Sequence, residues 1–199
     1  MEHTTILAGF GGLGLLFAGR VLAQAAVIEG RDVSWMPSYG PEMRGGTASC
    51  TVIIADHPIG SPIPDTADSL LALNPPSLAK FEPLLVPGGL VVLNATLIEA
   101  QPRRIDVEVV SIPGTALARS AGDGRLVCIV ALGALIARRP IVSPASIAQA
   151  LEDLLAPQHR ALIDGNLAAF ASGLQLARAG ATVGRPPTDR HAPRGVKVS

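Results

Sequence analysis

The stretch TTILAGFGGLGLLFAGRVLAQAAVIEGRDVSWM, residues 4–36, narrows the folds open to this chain more than any other part of it. Thr4–Ala8 is a short run of β-branched and aliphatic residues, the composition of a buried strand. Glycines follow at once. Leu15–Ile28 then sets Ala and Leu at helical spacing, and Gly30 stands where such a helix should stop. Asp32–Met36 returns to an extended pattern. Strand, glycine turn, helix and strand make a βαβ unit, which implies a parallel sheet with right-handed crossovers.

Further strands are expected at 48–55, 69–73, 89–94 and 107–111, separated by Pro- and Gly-rich connections. After Thr115 the pattern becomes helical, over 126–138, 146–155 and 159–179, with Ser146 placed as a cap for the second of these. The expected fold is α/β: an open, mostly parallel Rossmann-like sheet with flanking helices and a helical C-terminal part. Residues 1–180 read as one domain. Residues 181–199, which include TVGRPPTDRHAPRGVKVS, read as a tail that is flexible or lies on a partner.

Gly9, Gly11 and Gly14 satisfy G-x-G-x-x-G between a strand and a helix, with Gly12 in addition. Glycines let the backbone turn tightly and approach a ligand. The helix N-terminus then offers free N–H groups to a phosphate. The alternative is a tight turn with no ligand. A nicotinamide site would also need an acid at the end of the second strand. That strand, DVSWMPS, ends in Met, Pro and Ser, with Asp32 at the wrong end. The glycine turn therefore suits a pyrophosphate on some other nucleotide.

The second stretch of interest is YGPEMRGG, residues 39–46. Gly40, Gly45 and Gly46 allow a backbone excursion. Arg44 carries a planar fork suited to phosphate or carboxylate, and Glu42 stands where it could orient that guanidinium. The plain alternative is a solvated loop with a local ion pair. However, a loop leaving the second strand emerges at the sheet edge that carries the glycine turn, so the two features are expected to face each other.

Other chemistry is sparse. Lys+Arg and Asp+Glu balance at 16 each and aromatics are 3% of the chain. No global field draws it to nucleic acid or an anionic membrane, and stacking platforms are lacking. No apolar run has the length and flanks of a membrane span or signal peptide. Cys50 and Cys128 lie in apolar runs without metal spacing and read as small core residues, consistent with a cytoplasmic chain that ligates no metal itself. His3, His57, His159 and His191 are scattered and read as surface residues. Gly122–Gly124, a GDG, lacks the Asn that would complete a thiamine diphosphate motif and reads as a turn before a helix. The chain looks like part of an active site.

GFGGLG near the N-terminus, followed by SYGPEMRGGTASCTVIIADHPIGSP, resembles the gamma subunit of 2-oxoacid:acceptor (ferredoxin) oxidoreductases, most closely the 2-oxoglutarate-type branch. IPGTALA (112–118), VALGALIA (130–137) and NLAAFASGL (166–174) extend the resemblance over about residues 4–180. It implies a complex that decarboxylates a 2-oxoacid, transfers the acyl group to coenzyme A, and passes electrons to ferredoxin or another acceptor. Thiamine diphosphate with Mg and 4Fe-4S clusters would belong to alpha and beta partner subunits, with room for a small ferredoxin-like or other electron-transfer subunit. By position, Gly9, Gly11, Gly12, Leu13 and Gly14 would form a phosphate-facing turn for coenzyme A. Glu42, Gly45 and Gly46 would face the cofactor chamber, with Arg44 in a supporting catalytic role. Two residues depart from the family pattern: Leu13 where Gln is common, and Cys128 where Asn is expected. A structural or assembly subunit, or a stand-alone nucleotide-binding protein, are the alternatives.

Overall fold

The computed structural model describes residues 1–39, 47–155 and 161–180. Six strands form one mixed sheet: β1 (Glu2–Phe10), β2 (Asp32–Tyr39), β3 (Thr47–Ala55), β4 (Ala67–Ala72), β5 (Leu85–Asn94) and β6 (Glu108–Ile112). Their order is β2-β3-β1-β4-β5-β6. β1, β4, β5 and β6 run parallel, as the sequence pattern implies. The βαβ expectation needs one correction. β2 does not pair with β1, because β3 turns back and lies between them, antiparallel to both. β2 is thereby an edge strand, which is where a strand tolerates Pro37.

Helix α1 (Leu15–Ile28) links β1 to β2, and α2 (Pro75–Phe81) links β4 to β5. The helices α3 (Gly114–Ser120), α4 (Val127–Arg138), α5 (Pro144–Leu154) and α6 (Ile163–Arg178) complete the described residues. The short α2 and α3 escaped the sequence reading, since seven residues hold too few turns to display a period. Side chains alternate along the strands. Leu7, Cys50, Val52, Leu71, Val92 and Val110 meet α1 and α4 on one face. Ile6, Ala8, Leu70, Val91 and Leu93 meet Leu78 of α2 on the other.

α4 is buried from Val127 to Ile136. It packs on α6 with backbones nearly touching: a Cβ built on Gly173 would lie 1.9 Å from the Val130 carbonyl oxygen, and one on Gly133 2.1 Å from that of Phe170. Small residues at both positions set this spacing.

Two local expectations are corrected. Ser143 caps α5, its Oγ accepting from the Ser146 N–H at 3.1 Å, with Pro144 next in the first turn. Ser146 lies inside that turn. His3 is buried, because β1 begins at Glu2 rather than Thr4. Its Nε2 lies 3.1 Å from Ser69 Oγ on β4. Cys50 and Cys128 are buried free thiols, as expected.

Candidate functional site

The chain leaves β1 toward β2 and β3, and leaves β4 in the opposite direction, toward β5. α1 and α2 accordingly lie on opposite faces of the sheet. The carboxyl ends of β1 and β4 thus bound a topological switch point, the place where open α/β sheets receive ligands. The glycine turn forms its rim.

The glycines of the turn differ in what they permit. Gly9 is the last buried residue of β1, and a Cβ on it would come 2.8 Å from Leu73 Cβ just beyond β4. Gly9 therefore permits close packing. Gly11 and Gly12 are exposed in the turn. Gly12 and Gly14 have φ of +90° and +73°, the left-handed region that disfavours any Cβ. A Cβ on Gly14 would also sit 2.8 Å from the Arg125 carbonyl oxygen. Leu13 packs its side chain against the larger core.

Gly14 is the N-cap of α1. No side chain caps the helix, and no acid stands in its first turn. Its leading N–H groups have no intrahelical partner and carry the positive end of the helix dipole. α4 and α6 begin beside it, with Leu126 and Leu162 at their N-caps and no side-chain cap on either. The three helix starts border a cavity of about 640 Å³ whose walls include Gly14, Phe17, Gly122, Arg125, Leu162 and Asn166. That volume lies within the range of small-molecule sites.

Asp123 organises one wall. Its Oδ1 accepts the Arg125 N–H at 2.8 Å, while Oδ2 accepts Nε at 2.8 Å and Nη2 at 2.6 Å from the Arg125 guanidinium. These hydrogen bonds hold the Asp123 carboxyl below its usual range. The pair sits at the surface, where it fixes the guanidinium more than it stabilises the fold. The GDG is a turn before a helix, as its sequence suggested.

Glu42, Arg44, Gly45 and Gly46 lie outside the described residues. The strand ends that flank them are well placed: Tyr39 pairs with Ala48, and Thr47 pairs with Phe10. The chain therefore departs and returns at the edge that carries the glycine turn. Sequence reasoning missed Arg125, Phe17 and Asn166 as cavity residues. The one available signal was Asn166, a polar residue opening the small-residue run NLAAFASGL. Among the described residues no three His, Cys, Asp or Glu side chains are grouped to hold a metal. No described helix is long and apolar enough to cross a membrane.

Residues 4–176 match the model of the pyruvate ferredoxin/flavodoxin oxidoreductases. The chain belongs to that family. It is 39% identical to ketoisovalerate oxidoreductase subunit VorA of Methanothermobacter thermautotrophicus over 86% of its own length and 36% of that relative's. This family member thus spans well under half of that curated relative. Its fold superposes on the gamma subunit of a keto/oxoacid ferredoxin oxidoreductase from Geobacter sulfurreducens with a TM-score of 0.80 and 30% identity, covering 90% of this chain and 98% of that one. A 2-oxoglutarate:ferredoxin oxidoreductase from Magnetococcus marinus, solved with 2-oxoglutarate, coenzyme A and succinyl-CoA, gives a TM-score of 0.80 at 26% identity, over 89% of this chain and 31% of that one. The mixed α/β sheet is the architecture of the family's gamma subunits.

Proposed function

We propose that this chain is the gamma subunit of a multisubunit 2-oxoacid:acceptor oxidoreductase, inactive alone. The complex would carry out coenzyme A-dependent oxidative decarboxylation of a 2-oxoacid to acyl-CoA and CO2, with electrons passing to ferredoxin or another acceptor. Residues 1–180 would be the gamma-type domain and 181–199 a partner-contacting tail. Thiamine diphosphate with Mg and 4Fe-4S clusters, held by alpha and beta partners, would supply the decarboxylation and electron transfer. The complex would work in the cytoplasm.

The observation that carries this reading is the uncapped start of α1 behind a glycine turn, opening on a ligand-sized cavity in a family member. A pyrophosphate meets its need there for N–H donors and positive potential. The second strand offers no acid for a nicotinamide ribose, which favours coenzyme A over NAD. Gly11, Gly12 and Gly14 would present backbone to the phosphates, with Gly9 and Leu13 holding the turn against the sheet and core. Glu42, Arg44, Gly45 and Gly46 would complete the chamber against a sister chain, Arg44 orienting an anionic group in a water-poor interface. Of the 2-oxoacids, 2-oxoglutarate is favoured by the SYGPEMRGG…IGSP form. A branched-chain acid is the runner-up, on the likeness to a ketoisovalerate enzyme.

The test is anaerobic purification of the native complex through the tagged chain, followed by a panel of 2-oxoacids with and without coenzyme A. Coenzyme A-dependent oxidation is expected, with lower turnover or weaker coenzyme A binding in Arg44→Ala. A chain recovered alone and binding a dinucleotide would overturn the reading.

A further inference from the structure

Helix α1 is apolar on every side: of its 14 residues only Arg20 and Gln24 are polar. A helix at the surface of a domain normally keeps a charged outer face, and one that is apolar all round is covered. Yet Val27 is 54% exposed and Ile28 39%. The neighbouring α5 runs antiparallel to α1. At its start the Ser143 N–H and the Ser146 hydroxyl both donate to Glu29 Oε1, just past the end of α1, at 2.6 and 2.7 Å. From that junction Arg20 stands nine residues back along α1 and Glu152 nine residues on along α5. Each distance is about 13 Å of helix, so the two side chains are level. Each also lies opposite the buried residues of its own helix, Ala18, Leu22 and Ala25 on α1 and Ile147 and Ala150 on α5. They therefore project from one outer surface.

Neither charge is answered within the chain. Among the described residues Arg20 and Glu152 form no ion pair. Glu152 stands in the last turn of α5, where no basic residue offsets the negative end of the helix dipole. Around the two charges the surface holds Ala23 and Val27 of α1 and Ala145 and Ala148 of α5. An arginine ringed by apolar residues is the composition of an interface hot spot.

We propose that this face docks a second copy of this chain. The face carries both halves of the match, a lone cation on α1 and a lone anion on α5 at one level. A two-fold axis parallel to the helices lays α1 of one copy over α5 of the other without changing their levels. Arg20 then meets Glu152 of the other copy twice, once on each side of the axis, and Val27 is covered. The alanines of α5 let the helices approach closely. This inference does not rest on the coenzyme A reading.

The experiment is sedimentation equilibrium of the full chain with two charge-reversed variants, Arg20→Glu and Glu152→Arg. Wild type should sediment as a dimer. Each variant alone sets like charges against each other at both contacts, and its dimer dissociation constant should rise by about 100-fold or more. Mixed in equal amounts, the two variants restore opposite charges at both contacts, so the mixture should dimerise as wild type does. A pair formed within one chain would gain nothing from mixing. A monomeric wild type, variants that stay dimeric, or a mixture no tighter than its components overturns the proposal. If the isolated chain does not stay in solution, the assembled complex decides. Chains with Arg20→Cys and Glu152→Cys, expressed together under different tags, should be joined by a short bismaleimide, since Cys50 and Cys128 are buried. Cross-links to a sister chain, or none between the two tagged copies, overturn the proposal.

Discussion

Gly173→Ala sets two effects of opposite sign against each other. In an exposed helix, Ala in place of Gly gains about 1 kcal/mol of helix propensity. Here the new Cβ would lie 1.9 Å from the Val130 carbonyl oxygen, against the 3.4 Å at which ordinary contact begins. The α4 and α6 backbones must therefore part by about 1.5 Å in a close-packed interior. Inserting a methyl group into a full core costs roughly 1–3 kcal/mol, and more where the obstacle is backbone rather than a side chain. Collision should win, leaving a net loss of about 2 kcal/mol and a midpoint lowered by roughly 4–8 °C for a domain of this size. Thermal and urea unfolding of the chain measure this. Gly133→Ala faces Phe170 across the same crossing, so the double variant should lose less than the sum of the two, since the first opens the gap the second needs. Parting the helices also moves Asn166 and Leu162 relative to α4, so on the proposed coenzyme A reading that ligand should bind more weakly. A Gly173→Ala chain stabilised by about 1 kcal/mol would refute the close crossing, because propensity alone would then be acting.

Three further outcomes follow from the same geometry. Gly12→Ala should cost about 1–2 kcal/mol for its left-handed backbone alone, whereas Gly14→Ala adds the clash with the Arg125 carbonyl and should melt lower still; equal melting points would refute the contact. Burial pushes the Cys50 thiol up to about 12 and raises that of Cys128 well above its ordinary value, so neither should react with a thiol reagent at pH 8 until the chain unfolds. Burial, with Arg139 and Arg31 adding to it and Asp68 opposing, lowers the pKa of His3 below its ordinary 6.5. The unfolded chain then binds a proton that the native one refuses, so stability should fall as pH drops through about 6.5, and His3→Gln should flatten that limb of the unfolding curve.

What the sequence made legible was whatever a local period or a glycine signature could encode. α1 appears with its expected bounds, Leu15–Ile28, because apolar spacing and Gly30 delimit it. The return of β3 between β1 and β2 was not legible. A parallel neighbour and an antiparallel insert make the same demand on side chains, and only pairing partners differ. His3 looked like a surface residue because nothing near it in sequence announces Ser69. The glycine turn was readable as a tight strand-to-helix connection, but the cavity beside it was not, since two of its walls come from residues more than a hundred positions away, around Arg125 and Asn166.

On the proposed coenzyme A reading, a chain with no net charge receives an anion, and its charge pattern bears on where. Arg31 pairs with Asp56, Arg104 with Asp106, Arg125 with Asp123, and Arg138 and Arg139 share Glu108. Arg104 and Arg125 each face one acid, whereas Asp56 is shared between Arg31 and the N-terminus and Glu108 between two guanidiniums, so the local charges cancel only in part. At the cavity the start of α1 adds positive potential, whose effect is confined to its first turn. The starts are not equivalent. α1 carries no acid in its first turn, whereas α6 carries Asp164, which offsets the dipole there. An anion should therefore settle at Gly12–Gly14 and not at Leu162.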